Sequence, residues 1–168
     1  MKIKKLIYLK LQTIEDLKIS YKWRNDKKIW KETLGEGKFK KTRVTFKDEL
    51  EWFKRAQFNN RINLSIFVEP DKLIGNIYFS SIKKNEGVFH IVIGNKSFWN
   101  KGFGFKATIM SIYYAKINLN IKKLYLQVKQ SNTAAIKIYK KIGFKFIRSN
   151  KKSEKKMKLL TNKLKWNI

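Results

Sequence analysis

Trp99-Asn100-Lys101-Gly102-Phe103-Gly104 leads directly into the helix-forming stretch Phe105 to Asn118, and no acidic residue occurs from Gly87 to Ser153. Two closely spaced glycines let the backbone approach a ligand with its N–H groups outward. The helix behind them aims its positive dipole end and its unpaired amides at the same point. The stretch therefore predicts an anion-binding turn at a helix N-terminus. Working outward, Val88 to Ile93 and Leu124 to Val128 read as apolar strands on either side of that helix. A strand, helix, strand order implies a parallel pair joined by a right-handed crossover.

The remaining chain alternates in the same way, without linker, repeat or low-complexity stretch. Leu6 to Leu11 reads as a strand, and Thr13 opens a helix with a capping box that uses Asp16. A second box, Thr45 with Asp48, precedes Leu50, Phe53 and Ala56. Arg61 to Glu69 and Lys72 to Phe79 are β-rich runs separated by Pro70-Asp71, which predicts a hairpin. A last helix runs from about Asn132 to Ile142 and stops at Gly143, a left-handed cap, before strands near Phe144 to Ile147 and Lys155 to Leu160. The expected fold class is mixed α/β: one domain over 168 residues, with a central, partly parallel sheet flanked by helices.

Composition narrows the chemistry. The net charge is +28, from 40 basic and 12 acidic residues. Residues 87 to 153 hold fourteen of the basic residues and none of the acidic ones, whereas residues 1 to 86 hold twenty-one and eleven. A field of that sign draws polyphosphates, with an effect that salt weakens. Thirty-five of the basic residues are Lys, which also fits a compositional bias of the whole chain. With no cysteine there is no disulfide and no cysteine nucleophile, and the lone His90 cannot build a multi-histidine metal centre. The apolar run Leu6 to Leu9 stops at Lys10, too short for a signal peptide, and no run approaches the ~20 residues of a bilayer span. A soluble, cytoplasmic protein without a metal is expected.

Three explanations compete for the glycine turn. Gly102, Gly104 and Ala107 satisfy G-x-G-x-x-G/A, but a dinucleotide site needs an acid about 20 residues on, and Ile121 to Gln127 contains none. Lys101 to Phe105 matches the start of an RNA-recognition signature. Its continuation requires an apolar residue and a second stacking aromatic, where this chain has Lys106 and Thr108. The third explanation extends down the chain. Strand Gly87 to Gly94, the turn, the helix, and then Val128-x-x-x-Asn132-x-x-Ala135-Ile136-x-x-Tyr139-x-x-x-Gly143-Phe144 resemble the acetyl-CoA-binding half of the GNAT superfamily of N-acetyltransferases. Leu6 to Ile14 with Asp16-Leu17 and Trp23-Arg24-Asn25 is similar to the opening of its ribosomal-protein, polyamine and amino-sugar-nucleotide branch. Trp99, where most of the superfamily has Gln or Arg, also fits that branch.

The resemblance implies that residues 87 to 147 bind acetyl-CoA and that residues 1 to 86 receive the acceptor, with a C-terminal strand and tail over 148 to 168. Trp99, Asn100, Lys101, Gly102, Phe103, Gly104 and Phe105 would surround the pyrophosphate. Ile91, Val92 and Ile93 would pair with the cofactor's amide arm, and Asn132 would contact it. Tyr139 would protonate the leaving thiolate, and seven residues after Asn132 it occupies the same helix face. Read by periodicity alone, Tyr139 is a core aromatic. Glu86 and His90 are the candidate bases, with a water chain as the alternative. Arg24 lies on the stripe Ile14, Leu17, Tyr21, so it should point inward and meet an anion. That anion is either an internal carboxylate such as Glu32 or Glu51, or a charged group of the acceptor. Trp30 and the loops around Lys27 to Arg43 are expected over the acceptor site. The expected acceptor is a primary amine on a small molecule, foremost a nucleotide-linked amino sugar. A ribosomal-protein N-terminus or another small amine as acceptor, or a non-enzymatic nucleic-acid-binding module, is the alternative. A monomer or homodimer without membrane contact is expected.

Overall fold

The computed structural model describes residues 6–33, 43–147 and 153–164. In chain order the strands are β1 (Ile7–Leu11), β2 (Ile62–Val68), β3 (Lys72–Lys83), β4 (Glu86–Ile93), β5 (Lys123–Lys129), β6 (Lys145–Ile147) and β7 (Glu154–Leu160). The helices are α1 (Ile14–Ser20), α2 (Lys27–Thr33), α3 (Phe46–Lys54), α4 (Phe103–Asn118) and α5 (Thr133–Ile142). Both capping boxes form: Thr13 closes on Asp16 and Thr45 on Asp48. Helix α5 ends at Gly143, whose φ of 110° is the left-handed cap that a side chain would strain.

The seven strands make one sheet in the order β1-β2-β3-β4-β5-β7-β6. All neighbours are antiparallel except β4 and β5, the pair that the crossover through α4 predicts. That pair is hydrogen-bonded only between Glu86–Val88 and Lys123–Tyr125. Beyond Val88 the two strands part, and the sheet splays open at its middle. The mixed α/β architecture with a central, partly parallel sheet flanked by helices, read from the sequence, is the one observed.

Side-chain alternation gives the sheet two unlike faces. One carries Leu64, Ile77, Phe79, Phe89, Leu124 and Leu126, packed with Ala107, Ile112 and Ala115 of α4 and with Ile142 of α5. Each such fully buried aliphatic or aromatic side chain contributes about 1.5–3 kcal/mol. The other face is polar: Asn63, Tyr78 and His90 stand opposite one another across β2, β3 and β4, and Ser65, Asn76 and Val92 form the next row. Helices α1 and α3 cover these rows. The Ser65 hydroxyl donates to Asp16 of α1 at 2.8 Å, and Trp52 of α3 meets the Tyr78 ring edge-on at 5.5 Å.

Candidate active site

A cleft opens where β4 and β5 part. Val128 of β5 and Asn132, Ala135 and Tyr139 around α5 line one wall, and Tyr78, His90, Ile91 and Val92 line the other. Residues of α1, the turn after it and α3 roof it, among them Trp23, Arg24, Glu49 and Trp52. The Asn132–Tyr139 spacing read from the sequence thus puts both residues on the cleft. Asn132 also caps α5, its side-chain oxygen accepting from the Ala135 amide at 3.0 Å. Tyr139 packs edge-on against Phe89 at 6.4 Å and tilted against Phe144 at 5.6 Å, and burial pushes its phenol well above the usual tyrosine range.

The glycine turn lies at the C-terminal end of β4. Asn100 and Gly102 take positive φ, 58° and 80°, and Gly102 is the residue before α4. The Lys106 amide donates to the Gly102 carbonyl at 3.1 Å, which starts the helical ladder, so the amides of Phe103 and Gly104 precede it. A Cβ at Gly102 would meet nothing within 4 Å, so the turn faces open space. Trp99 is anchored beside it, its indole N–H donating to the Ile93 carbonyl at 2.7 Å with the Lys28 ammonium 5.6 Å from its ring. Ile91, Val92 and Ile93 are paired to β3 on one side only. Lys101 and Phe105 flank the turn, with the Lys141 ammonium 4.9 Å from the Phe105 ring.

Other candidates are placed less simply. Glu86 stays outside the cleft: it precedes the point where the strands part, is half-buried, and binds Lys123 at 2.7 Å, which lowers its carboxyl. His90 is in the cleft, stacked on Tyr78 at 4.1 Å with Nε2 2.9 Å from the Ser80 hydroxyl. Burial, aided by Arg61, lowers its imidazole to about 4. It is neutral at physiological pH and too weak to be an effective proton acceptor. Arg24 does reach inward, but its carboxylate is Glu49 at 3.8 Å, while Glu51 pairs with Arg55 on the surface. The side chains of Trp30 and Glu32, and loop residues 34–42, lie outside what the structure describes.

Glu49 is a buried carboxylate on the cleft that the sequence analysis did not single out. It is 4% exposed, and desolvation raises its carboxyl against the opposing pull of Arg24 and Arg61. Its spacing to Trp52 and Ala56, three and seven residues, placed it on the inner stripe of α3. Beside it, Ser20 Oγ, both polar atoms of Asn63, and Asn76 Oδ1 are buried without a hydrogen-bond partner, and all three residues line the cleft. Buried polar atoms of that kind are ordinarily satisfied by water or ligand.

Comparison with known proteins follows this geometry. Residues 6–145 match the model of an acetyltransferase (GNAT) domain. The chain belongs to the GNAT acetyltransferase family. Among solved structures, a domain from Methanocaldococcus jannaschii superposes with a TM-score of 0.80 at 21% identity, covering 94% of this chain and 99% of that one. The Vibrio cholerae spermidine N-acetyltransferase, in complex with CoA and spermine, superposes with a TM-score of 0.80 at 22% identity, covering 94% and 96%. An uncharacterized Methanocaldococcus jannaschii protein is 22% identical over 151 residues. That alignment takes in 88% of this chain, which spans only 30% of the relative's length. Among the described residues of this GNAT domain, no helix is long and apolar enough to cross a membrane.

The histidine of this GNAT site makes stability depend on pH. The imidazole falls from 6.5 to about 4 on folding, so below pH 6.5 the unfolded chain takes up a proton that the folded one refuses. Stability should be lost as pH falls from 6.5 to 4, by about 3 kcal/mol at most. Glu49, whose carboxyl is raised, acts in the opposite sense. Denaturant unfolding of the wild type and His90→Gln across that range isolates the imidazole: the difference between their stabilities should change with pH. A constant difference would mean that His90 is not held neutral.

Proposed function

We propose that the protein transfers the acetyl group of acetyl-CoA directly to a primary amine of a small molecule. The observation that carries this reading is the parting of β4 from β5 beyond Val88, with the glycine turn at one end of the gap and Tyr139 inside it. The open space at Gly102 and the unpaired edge of β4 fit a pyrophosphate and an amide-bearing arm. The Trp99–Ile93 bond holds the turn against the strand end.

The acceptor enters from the polar face, under α1 and α3. Glu49 replaces Glu86 and His90 as the proposed group that deprotonates the ammonium, directly or through water, because it lines the cleft and burial raises its carboxyl above the usual carboxylate range. The freed amine attacks the thioester carbonyl, and an amide of the β4 edge steadies the charge that grows on its oxygen. As the C–S bond breaks, the Tyr139 phenol gives its proton to the departing sulfur. The second proton on nitrogen leaves to water.

The finer reading keeps a nucleotide-linked amino sugar as the foremost acceptor, on altered grounds. Arg24 is committed to Glu49, so it does not await the acceptor's charge. What supports an anionic acceptor is a second guanidinium whose charge reaches Glu49, that of Arg61, beyond the one paired with it. The Vibrio cholerae structure contains spermine; the same second charge disfavours such a polycation here. The unpartnered Ser20, Asn63 and Asn76 atoms suit hydroxyl groups.

Thermal melts and a thiol-release assay test the activity. Acetyl-CoA at a hundredfold excess over Kd should add about 2.7 kcal/mol of stability, with NAD and a short RNA adding none. Thiol release should appear with at least one member of a panel of amines. Stabilisation by RNA but not acetyl-CoA would overturn the reading.

A further inference from the structure

Gln127, on the wall of the cleft, belongs to a sheet face that continues beyond it. Parallel pairing puts Lys123, Tyr125, Gln127 and Lys129 on the same sheet face as Glu86 and His90. Opposite them on β7 stand Lys158, Lys156 and Glu154, and Lys145 of β6 stands opposite Lys158. Whereas α1 and α3 cover this face over β2 and β3, over β5, β7 and β6 it carries lysines that remain exposed or half-buried. Five lysines share it with two carboxylates among the described residues, and Glu86 is bound to Lys123. Lys156 lies 5.3 Å from the centre of the Tyr125 ring, and Lys129 donates to the Lys31 carbonyl at 2.6 Å, fixing α2 at the mouth.

From these observations we infer that this lysine face is an extension of the acceptor site, and that it holds a phosphate or diphosphate group tethered to the reacting amine. The inference rests on the acetyltransferase reading and specifies its substrate class. Gln127 lines the cleft, so the lysine face begins at the cleft wall. With strands ~4.8 Å apart and residues ~3.4 Å along each, Lys156, Lys158 and Lys145 follow from Gln127 at roughly 5 to 13 Å. That is the reach of a small molecule, and the charges form a field and not a fitted pocket, which suits a flexible phosphate ester. Tyr125, in the middle of the row, holds the Lys156 ammonium over its ring.

The test uses ω-aminoalkyl phosphates of two to eight carbons, the matching amino alcohols, and spermidine, with the whole chain and acetyl-CoA. KM should be at least about tenfold lower for the best phosphate than for its alcohol, with an optimum tether length, and the gap should close at high salt. Lys156→Glu with Lys158→Glu should bring the phosphate's KM up to the alcohol's, and Lys156→Arg with Lys158→Arg should restore it. Equal KM values for phosphate and alcohol, or preference for spermidine, would overturn the inference while leaving the activity standing. Failure of every amine to release thiol would instead remove the activity itself. A gap that survives the double Glu variant would place the phosphate elsewhere and overturn it too.

Discussion

Tyr139→Phe should lower kcat by on the order of 10- to 1000-fold while acetyl-CoA affinity stays nearly constant, because the substitution removes only the proposed acid. That range corresponds to about 1.4–4 kcal/mol of barrier. The ring keeps its contacts with Phe89 and Phe144, so the fold should not register the loss. Burial holds the phenol in its protonated form throughout the neutral range, where a general acid must be loaded. The same low-polarity surroundings make a bare thiolate costly; a proton delivered as the C–S bond breaks avoids it, and the phenolate left behind is then reprotonated from water. Steady-state kinetics of wild type and variant, with melting shifts for acetyl-CoA affinity, separate the cases. An unchanged kcat would leave Tyr139 as a packing residue of α5, the role that periodicity alone assigns it.

Much of this site could be read from local sequence, because its parts are set by contacts within a few residues. The turn depends on Gly102 and the start of α4, the α5 wall on Asn132, Tyr139 and Gly143, and the two capping boxes on pairs three residues apart. The acceptor side behaved differently. Arg24 was placed inward by a continuous helical stripe, yet α1 ends at Ser20 and residues Tyr21–Asn25 form a 3₁₀ turn. Ile14, the first residue of that stripe, is 47% exposed. A 3₁₀ turn advances side chains by three residues per turn, so Ser20 and Trp23 turn toward the cleft as well as Arg24. The partner of Arg24 could not be read locally, since Glu49 lies on another helix and is chosen by packing. Glu86 and His90 looked equivalent as residues of one strand. What separates them is the place where β4 leaves β5, a property of the sheet and not of either residue.

Gly104→Val should abolish measurable acetyl-CoA binding, raising Kd by at least about a hundredfold, without unfolding the chain. Gly102 is the less clean position: its φ of 80° strains any side chain, so loss of binding there would be mixed with loss of the turn. Gly104 is helical, and a Cβ there would meet only Ile138 and Ile93, each at 3.8 Å, which is ordinary contact. In helix propensity a valine is no worse than the glycine it replaces, by about a few tenths of a kcal/mol in its favour. It also places two methyl groups beside the amides that precede the ladder, where the phosphate must come within hydrogen-bond distance of the backbone. Losing two or three charge-assisted bonds of about 1.5–3 kcal/mol each accounts for the hundredfold or more. Isothermal titration with acetyl-CoA, beside a denaturant melt, reads affinity and fold independently. Gly104→Ala, with its single methyl, should fall between the two. Normal affinity in a folded Gly104→Val protein would mean that the turn merely starts α4 and that the pyrophosphate, and the cofactor with it, binds elsewhere.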